Sequence, residues 1–163
     1  LRLFHQLYGV EAVTLRYYNV FGPRQNPKSR YAAVIPIFIA KLMKGEAATV
    51  DGDGGQSRDF TYVTNVVDAN ILAMEAPAEK IAPGLFNIAA GGRHSLNDLL
   101  RELGTILGVE PRAEHGPARP GDIRHSQADI ARAQKVLGYE ARVSFREGLE
   151  RTVAYFREAG EAA

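Results

Sequence analysis

Apolar residues recur along the chain at two spacings, which predict strands alternating with helices. Residues 12–18 are rich in β-branched and aromatic side chains, as is typical of a strand, and residues 85–89 form a second short apolar run. We expect the first strand to be buried, and segments 13–17 and 85–89 to pair in parallel, because helical segments separate them. Shorter strands are predicted at residues 49–50, 60–63 and 112–115.

Apolar side chains three or four positions apart predict helices in the remaining stretches. Most of these helices have a start or stop signal, such as the capping boxes formed by Ser95 with Asp98 and Ser144 with Glu147. The predicted helices are 3–8, closed by Gly9; 34–44, stopped by Gly45; one capped by Thr64 and ended by Pro77; 96–107, up to Gly108; one capped by Asp129, up to Leu137 and Gly138; and one opened by Ser144.

Two of these helices carry apolar surface that we expect to lie in the core. Residues 34–44 are apolar on most of the helix circumference, and Pro36 falls in the first turn, where proline is tolerated. In the following helix, Val67, Ile71 and Met74 form one stripe. Such a stripe is typical of a helix face packed in the core, so we expect these three side chains to be buried.

Length and composition favour a single α/β domain over residues 1–163 that binds a small partner. The formal net charge is +1, with cations dispersed among acids, which favours neither nucleic acid nor an anionic membrane. The sequence has no cysteine and its four histidines show no paired spacing, so we expect no disulfide and no metal site. No apolar run reaches the about 18 residues of a membrane span, and we expect a cytoplasmic protein.

A glycine-rich turn stands directly before Arg58 and an aromatic strand, and it is the centre of the candidate binding site. Three cationic loops, 22–30, 52–58 and 116–124, adjoin strands, which is where open α/β sheets bind ligands. We expect these loops to form one pocket. A guanidinium fork suits a diphosphate, and a carboxylate such as Asp122 suits sugar hydroxyls, so the combination indicates a nucleotide sugar.

The same arginines also have structural interpretations. Arg58 adjoins Asp59 and Arg119 lies near Asp122, so each arginine is either the partner of its neighbouring acid or a clamp for a ligand. The glycine-rich turn is likewise either the centre of a site or a solvent-exposed hairpin turn. These alternatives remain open at the level of residue types and spacing.

Several segments, taken in order, resemble one known family. They are 15–25 (LRYYNVFGPRQ), 33–36 (AVIP), 52–54 (GDG), 58–60 (RDF), 62–63 (YV), 86–88 (FNI), 119–122 (RPGD) and 128–129 (AD). Over essentially all of its length the sequence resembles the C-terminal half of extended short-chain dehydrogenases of the NAD-dependent epimerase/dehydratase family, most closely the UDP-glucose and UDP-N-acetylglucosamine 4-epimerases. The resemblance implies an α/β fold made of the last Rossmann-like strands and a small substrate-binding domain, without the N-terminal dinucleotide-binding half.

The resemblance also implies roles for individual residues. In that family the residue matching Tyr18 lies beside the nicotinamide of NAD through its backbone, and the residue matching Asn19 contacts the UDP-sugar. Arg58 and Arg119 would hold the diphosphate, with Asp122 on the ribose. The other implied substrate-binding positions are Ala33 and Val34 along the sugar-nucleotide cleft, and Thr49, Val50 and Asp51 around the uracil.

Two positions bear on which substrate the resemblance implies. Asp51 stands where an aromatic residue is common in the family, so stacking on the base lacks its usual partner. Ser126 matches a position that is bulky in strict glucose epimerases. Its small side chain suggests room for an N-acetyl group on the sugar.

Motifs of the family's first half do not occur in this sequence. No tyrosine stands four residues before a lysine, and Ser57 replaces the last glycine of a near-match to the dinucleotide fingerprint. The chain also opens on Leu1, and we expect a chain that is inactive by itself and binds no NAD. The activity implied for the parent enzyme is 4-epimerisation of a UDP-sugar, in which NAD takes a hydride from C4, the keto sugar rotates, and the hydride returns.

Other functions fit the same residues. The chain could be a non-catalytic nucleotide-sugar-binding or interaction module, or part of a nucleotide-sugar dehydratase or decarboxylase. UDP affinity without NAD affinity would favour a binding module, and absence of both would favour an interaction protein. The edge of the strand at 13–17 would be open, so we expect a homo-oligomer, such as a dimer, or pairing with the missing half.

Overall fold

The computed structural model describes residues 1–29 and 33–161, in which strands and helices alternate. In chain order the elements are α1 (Arg2–Tyr8), β1 (Val13–Tyr17), β2 (Val20–Phe21), α2 (Val34–Met43), β3 (Ala48–Asp51), β4 (Ser57–Arg58), β5 (Thr61–Tyr62), α3 (Val63–Glu75), α4 (Ala78–Ile81), β6 (Gly84–Ile88), β7 (His94–Ser95), α5 (Leu96–Leu107), β8 (Ala113–Gly116), α6 (Ala131–Leu137) and α7 (Phe145–Glu161). This order confirms the α/β class.

The chain forms two compact units, each built from three segments. Unit 1 comprises Leu1–Val20, Asp59–Gly92 and Gln127–Ser144, and unit 2 comprises Phe21–Arg58, Arg93–Ser126 and Phe145–Ala163. Each unit therefore depends on residues far apart in sequence. The expectation of a single domain stays a prediction.

Unit 1 contains the parallel strand pair predicted from the sequence. β1 pairs with β6 in parallel, with Val13 opposite Gly84 and Tyr17 opposite Ile88. Phe86 of β6 is fully buried, but β1 is only half-buried at its start and exposed at Arg16 and Tyr17. The expectation of a buried β1 is wrong because, among the described residues, β1 pairs along one edge only.

Helix α3 buries a different face from the one expected. Val67, Ile71 and Met74 are exposed, at 48%, 46% and 84%. The buried apolar residues are Val66, Ala69 and Ala73, which belong to a core cluster with Phe86, Ile88 and Tyr139. Alanine on the inner face lets the helix backbone approach these large rings closely, so the small residues face the core.

The start of α3 also differs from the prediction. The N-cap position is Tyr62, without a side-chain hydrogen bond, and Thr64 already lies inside the helix. A similar one-residue difference occurs at α6, where Ile130 is the N-cap residue. Asp129, the residue before this N-cap, nevertheless accepts a hydrogen bond from the amide of Ala131 at 2.9 Å. Its carboxylate therefore still caps a backbone amide at the start of α6.

Unit 2 packs α2, α5 and α7 beside the parallel pair of β3 and β8, in which Asp51 lies opposite Gly116. The predicted burial of α2 is confirmed, since five of its residues, Pro36 among them, are buried. At α5 the capping box is confirmed. The Ser95 hydroxyl accepts from the Asp98 amide, and the Asp98 carboxylate accepts from the Ser95 amide, both at 3.0 Å.

Glycines end several helices as the sequence predicts. Gly9, Gly108 and Gly138 adopt φ values of 67°, 73° and 66° after α1, α5 and α6. These are left-handed conformations that glycine adopts without a steric penalty. In the part of the chain that the structure describes, no helix combines the length and apolar character needed to cross a membrane.

Candidate functional site

The glycine-rich turn of unit 2 follows β3 and requires glycine at two positions. Gly52 and Gly54 have φ values of 71° and 72°. A Cβ atom on Gly54 would also collide with the side chain of Asn97. Asn97 in turn holds the turn in place, because its side-chain amide donates to the Asp53 carbonyl at 3.0 Å and its backbone amide donates to the Gly54 carbonyl at 3.1 Å.

Arginine–aspartate ion pairs join this turn and its flanks to the predicted cationic loop at 116–124. Nη2 of Arg58 lies 2.5 Å from Asp122, Nη2 of Arg119 lies 2.9 Å from Asp51, and Arg124 contacts both carboxylate oxygens of Asp53 at 2.6 and 2.8 Å. Neither pair of neighbours considered from the sequence, Arg58 with Asp59 or Arg119 with Asp122, is among these ion pairs.

A polar cavity of about 260 Å³ lies where these two loops meet. His115 borders the same turn, with Nδ1 2.8 Å from the Gly52 carbonyl, to which it donates. The cavity has both cations and carboxylates on its walls, which suits a ligand that carries an anionic group and hydroxyls. The residues lining the cavity are Asp51, Gly52, Asp53, Gln56, Ala118, Arg119, Asp122 and Arg124.

Gln56 gives this cavity a buried polar group that still lacks a partner. Its side chain donates from Nε2 to the Asp51 carbonyl at 2.7 Å, which fixes the orientation of the amide. The residue is only 8% exposed, and within the described ranges Oε1 has no hydrogen-bond donor. This oxygen is enclosed by the protein and stays unsatisfied among the described residues.

The arginines of this site differ in how far the protein already uses them. Arg58 is 18% exposed, and its Nη1 donates to the carbonyls of Ser57 at 2.9 Å and Ile123 at 2.6 Å, in addition to the Asp122 ion pair. Arg119 is 75% exposed and contacts Asp51 through a single nitrogen. Arg119 therefore has more N–H groups to offer a ligand.

The Asp53–Arg124 pair has a clear effect on ionisation. The hydrogen bond from Arg124 is the main cause that holds the pKa of Asp53 well below its usual range, followed by the hydrogen bond from the Gly55 amide. The same contact raises the pKa of Arg124. Both groups are thus charged throughout the neutral pH range, and the pair fastens the loop to the turn.

Other predicted substrate-binding residues of unit 2 lie on β3, at the start of α2 and beyond β8. Thr49 is exposed, and its hydroxyl accepts from Nζ of Lys41 at 2.7 Å, whereas Val50 is fully buried. Ala33 is the exposed N-cap residue of α2 and Val34 is the first, half-buried residue of that helix.

Ser126 stays close to the ion-paired segment through its backbone. Its amide donates to the Ser57 carbonyl at 3.0 Å, and its side chain is half-buried. Next to it, the His125 Nδ1 lies 2.8 Å from the Ser57 hydroxyl. The structure thus places Ser126 beside Ser57 of β4, while its ligand role stays a prediction.

The first cationic loop does not join the other two around this cavity. Lys28 lines a separate cavity of about 190 Å³ together with Lys41 and Lys44 of the α2 end. Arg30 lies outside the described residues. The expectation that all three cationic loops form one pocket is therefore wrong for Lys28, because Pro27 and Lys28 share their cavity with residues of α2.

Tyr18 and Asn19 belong to unit 1, at the end of β1. The Tyr18 amide donates to the Ile88 carbonyl at 3.2 Å, which continues the β1–β6 pairing. Asn19 has a φ of 35° and is exposed, and its Nδ2 donates to the Asp59 carbonyl at 3.3 Å. Asp59 is fully buried and accepts from the backbone of unit 1 instead of pairing with Arg58.

Three residues of the cavity were not singled out from the sequence. Asp53 had no assigned partner, while Gln56 and Arg124 lay in the two loops that were predicted to bind a ligand. Only their long-range contacts distinguish them from exposed loop residues. Among the described residues, no group of three or more histidine, aspartate or glutamate side chains is placed to hold a metal ion.

Comparisons with known proteins agree with the resemblance seen in the sequence. Residues 1–89 match the model of the NAD dependent epimerase/dehydratase family. The UDP-glucose 4-epimerase of Mycolicibacterium smegmatis is 34% identical over 161 residues, which are 99% of this chain and 50% of that protein. This chain thus spans about half the length of the curated relatives that it matches.

Solved structures share both the fold and much of the sequence. The UDP-glucose 4-epimerase of Thermotoga maritima, solved with UDP-glucose, superposes with a TM-score of 0.90 at 41% identity, over 96% of this chain and 49% of that one. The UDP-N-acetylglucosamine 4-epimerase of Methanobrevibacter ruminantium, solved with UDP-N-acetylmuramic acid, gives 0.89 at 40% identity over the same shares. Because the family model covers more than half of the sequence and these structures share its α/β fold, the chain belongs to the NAD dependent epimerase/dehydratase family.

Proposed function

We propose that this chain is the nucleotide-sugar-binding part of an NAD-dependent UDP-sugar 4-epimerase. The observation that carries the proposal is the cavity lined by Arg119, Asp122 and the side chain of Gln56. A cation and a carboxylate that line one cavity match a diphosphate joined to hydroxyl-bearing rings. The 4-epimerases among its relatives support the same assignment.

In this proposal Arg58 and Arg119 contact the diphosphate. Arg119 supplies the larger number of N–H groups that no protein atom uses. Arg58 contributes mainly its positive charge, since most of its guanidinium already binds protein oxygens. Asp122 uses Oδ1 for Arg58, and its Oδ2 accepts from a ribose hydroxyl. The pair thereby links recognition of the phosphate to recognition of the ribose.

The base and the sugar occupy the flanks of this site in the proposal. Thr49, Val50 and Asp51 border the base, while Ala33, Val34 and Ser126 border the sugar. Asn19, which belongs to unit 1, keeps its predicted role as a residue that contacts the sugar. The small Ser126 admits either a hydroxyl or an N-acetyl group at the sugar. Comparison of the affinities for UDP-glucose and UDP-N-acetylglucosamine tests this, and at least a tenfold preference for UDP-glucose would overturn it.

In the proposed parent enzyme, bound NAD would supply hydride transfer to and from the sugar. Of the residues in this chain, Tyr18 is the proposed neighbour of the nicotinamide. Its amide already donates to Ile88, so a backbone contact would use its carbonyl oxygen as an acceptor for the carboxamide. Because the sequence contains no Tyr-x-x-x-Lys pair, we propose that the chain by itself binds the sugar nucleotide without converting it.

The deciding experiment is titration calorimetry of the chain with UDP, UDP-glucose and NAD. We expect UDP and UDP-glucose to bind and NAD to give no measurable heat. Arg119→Ala should weaken UDP about tenfold or more, since it removes a charge-assisted hydrogen bond. Arg146→Ala is the control, because Arg146 lies on α7 and pairs with Glu102 and Glu150 away from the cavity.

The possible outcomes separate the alternatives. Failure of both UDP and UDP-glucose to bind would overturn the proposed function. Conversion of UDP-glucose to UDP-galactose by the purified chain would overturn the proposed inactivity while keeping the epimerase assignment. Loss of carbon dioxide from a UDP-uronic acid, or of water from a UDP-sugar, would instead assign a decarboxylase or a dehydratase.

We further propose that the chain self-associates or binds another polypeptide through the outer edge of β1. Tyr17 is 46% exposed there, and the helix face with Ile71 and Met74 in the same unit is also exposed. Unpaired strand edges favour pairing with another strand. Light scattering of dilute protein tests self-association, and a mass of one chain at every concentration would contradict it.

A further inference from the structure

The exposed guanidinium at the cavity is held by one carboxylate of the protein itself. Nη2 of Arg119 contacts Oδ2 of Asp51 at 2.9 Å, and the Asp51 side chain is 40% exposed. Arg124, by comparison, binds both oxygens of Asp53, and Arg58 makes three donations to the protein. Arg119 is thus the cation that a ligand can recruit with the fewest contacts broken.

The backbone of Asp51 is held in place, so Asp51 does not move with Arg119 if the arginine side chain turns towards a ligand. Its residue lies at the end of β3, where it is in register with Gly116 of β8. Its backbone carbonyl is further held by the side chain of Gln56. A ligand phosphate that binds Arg119 comes close to the Asp51 carboxylate, which repels it and already occupies Nη2 of the guanidinium.

A second feature of the cavity lining is the buried amide of Gln56. Gln56 is more than nine-tenths buried, and its Oε1 lacks a donor among the residues that the structure describes. A buried acceptor is unfavourable unless something donates to it. The cavity is therefore lined by an exposed cation that can bind an anion and by a buried amide whose oxygen still lacks a donor.

We propose that Asp51 is an affinity-determining residue that competes with the diphosphate of the ligand for Arg119. This inference rests on the proposed function, because it takes the ligand to be a nucleoside diphosphate. In the absence of ligand, Asp51 keeps Arg119 at the cavity. When the diphosphate binds, its oxygens replace the carboxylate on the guanidinium, and the carboxylate becomes solvated.

The test is titration calorimetry of UDP with wild type, Asp51→Asn, Arg119→Ala and the double variant. Asparagine keeps the size of the side chain but gives up most of its attraction for Arg119. We expect Asp51→Asn to bind UDP about two- to fivefold more tightly, which corresponds to the strength of an exposed ion pair. Glu150→Gln is the matched control, since it neutralises an exposed acid paired with Arg146 on α7, and it should leave the affinity unchanged.

The double variant distinguishes competition from simple charge removal. If Asp51 acts through Arg119, the gain from Asp51→Asn disappears when Arg119 is alanine. An equal gain in both backgrounds, or no gain in either, would overturn the inference while leaving UDP binding intact. If UDP binds none of the four proteins, the proposed function fails and the inference fails with it. Thermal unfolding of each variant confirms that the fold is retained.

Discussion

Nη2 of Arg58 lies 2.5 Å from Oδ1 of Asp122, a residue 64 positions further along the chain. The acid next to Arg58 in sequence, Asp59, is instead fully buried, and its carboxylate accepts from the amides of Ala90 and Ala128. Two adjacent residues of opposite charge thus serve different units. The contact to Asp122 helps to hold the loop at 116–124 beside the glycine-rich turn.

This contact should contribute measurably to stability. In a double-mutant cycle of Arg58→Ala and Asp122→Ala, we expect a coupling free energy of about 1 kcal/mol or more, since Arg58 is mostly buried and its hydrogen bonds are charge-assisted. Urea unfolding of the four proteins measures it. The exposed helical pair Arg151–Glu147 is the comparison and should give about 0.5 kcal/mol or less. Strict additivity at Arg58 and Asp122 would contradict the prediction.

The Asp53–Arg124 pair should make stability depend on acid pH. The pKa of Asp53 is lowered in the folded protein, so the unfolded state takes up a proton first as the pH falls below about 4. The stabilisation is complete above that pH and is lost progressively below it. Asp53→Asn should therefore flatten the acid side of a plot of unfolding free energy against pH.

The control for this titration is Glu150→Gln, which removes an exposed acid on α7. At acid pH, the unfolding free energy of Glu150→Gln should follow that of the wild type closely. If Asp53→Asn and wild type lose stability in parallel below pH 4, the pair contributes nothing through ionisation. Chemical unfolding at a series of pH values provides the measurement.

Tyr139 should make the stability of the protein depend on alkaline pH. Burial, followed by the charges of Asp59 and Asp68, raises its pKa to about 12. An unfolded tyrosine ionises near pH 10, so the contribution of Tyr139 is complete below about pH 10 and is lost as the pH rises towards 12. Ultraviolet difference titration should show a tyrosine ionising near pH 12, and Tyr139→Phe should remove that late step.

A variant at Tyr139 also loses a hydrogen bond. The phenol donates to the Ala89 carbonyl at 2.9 Å, and the ring is fully buried. We therefore expect Tyr139→Phe to be less stable by about 1 kcal/mol at neutral pH. A late ionisation that survives in Tyr139→Phe would assign the raised pKa to another tyrosine.

Asn65 should be among the more sensitive positions of unit 1. This fully buried side chain donates to the Val143 carbonyl at 2.9 Å and accepts from the Val143 amide at 3.0 Å. Asn65→Ala leaves both backbone groups without their partner, and we expect a loss of about 2–4 kcal/mol. Asn70→Ala is the control, since Asn70 is only part-buried and should lose less. Thermal unfolding followed by circular dichroism compares them, and equal losses would contradict the prediction.

The capping box of α5 should contribute to the stability of the protein. The Ser95 hydroxyl accepts from the amide of Asp98, and its own hydrogen bond to the Asp98 carboxylate is the main cause that lowers the pKa of that group. Ser95→Ala should destabilise the protein by about 1 kcal/mol, and Ser95→Thr by much less. Urea unfolding measures both. An alanine variant as stable as the threonine variant would exclude a capping contribution.

Some interpretations of the sequence failed for a common reason. Hydrophobic periodicity found a stripe on α3 at Val67, Ile71 and Met74, but the helix buries Ala69 and Ala73. Periodicity shows that a helix has an apolar face, and it does not show which of two apolar faces has a partner. The exposed end of β1 at Tyr17 has the same explanation, because strand composition says nothing about what covers the strand.

The sequence by itself determined what depends on neighbouring residues: the helices closed by Gly9, Gly108 and Gly138, the Ser95–Asp98 cap, the turn at Gly52 and Gly54, and the family. These follow from backbone sterics and hydrogen bonds within a few residues. Only the tertiary structure decided the ion pairs, because Arg58, Arg119 and Arg124 had several acids within reach along the chain. The pairing of β3 with β8 brings the two loops together, and that geometry selects Asp122, Asp51 and Asp53 as partners.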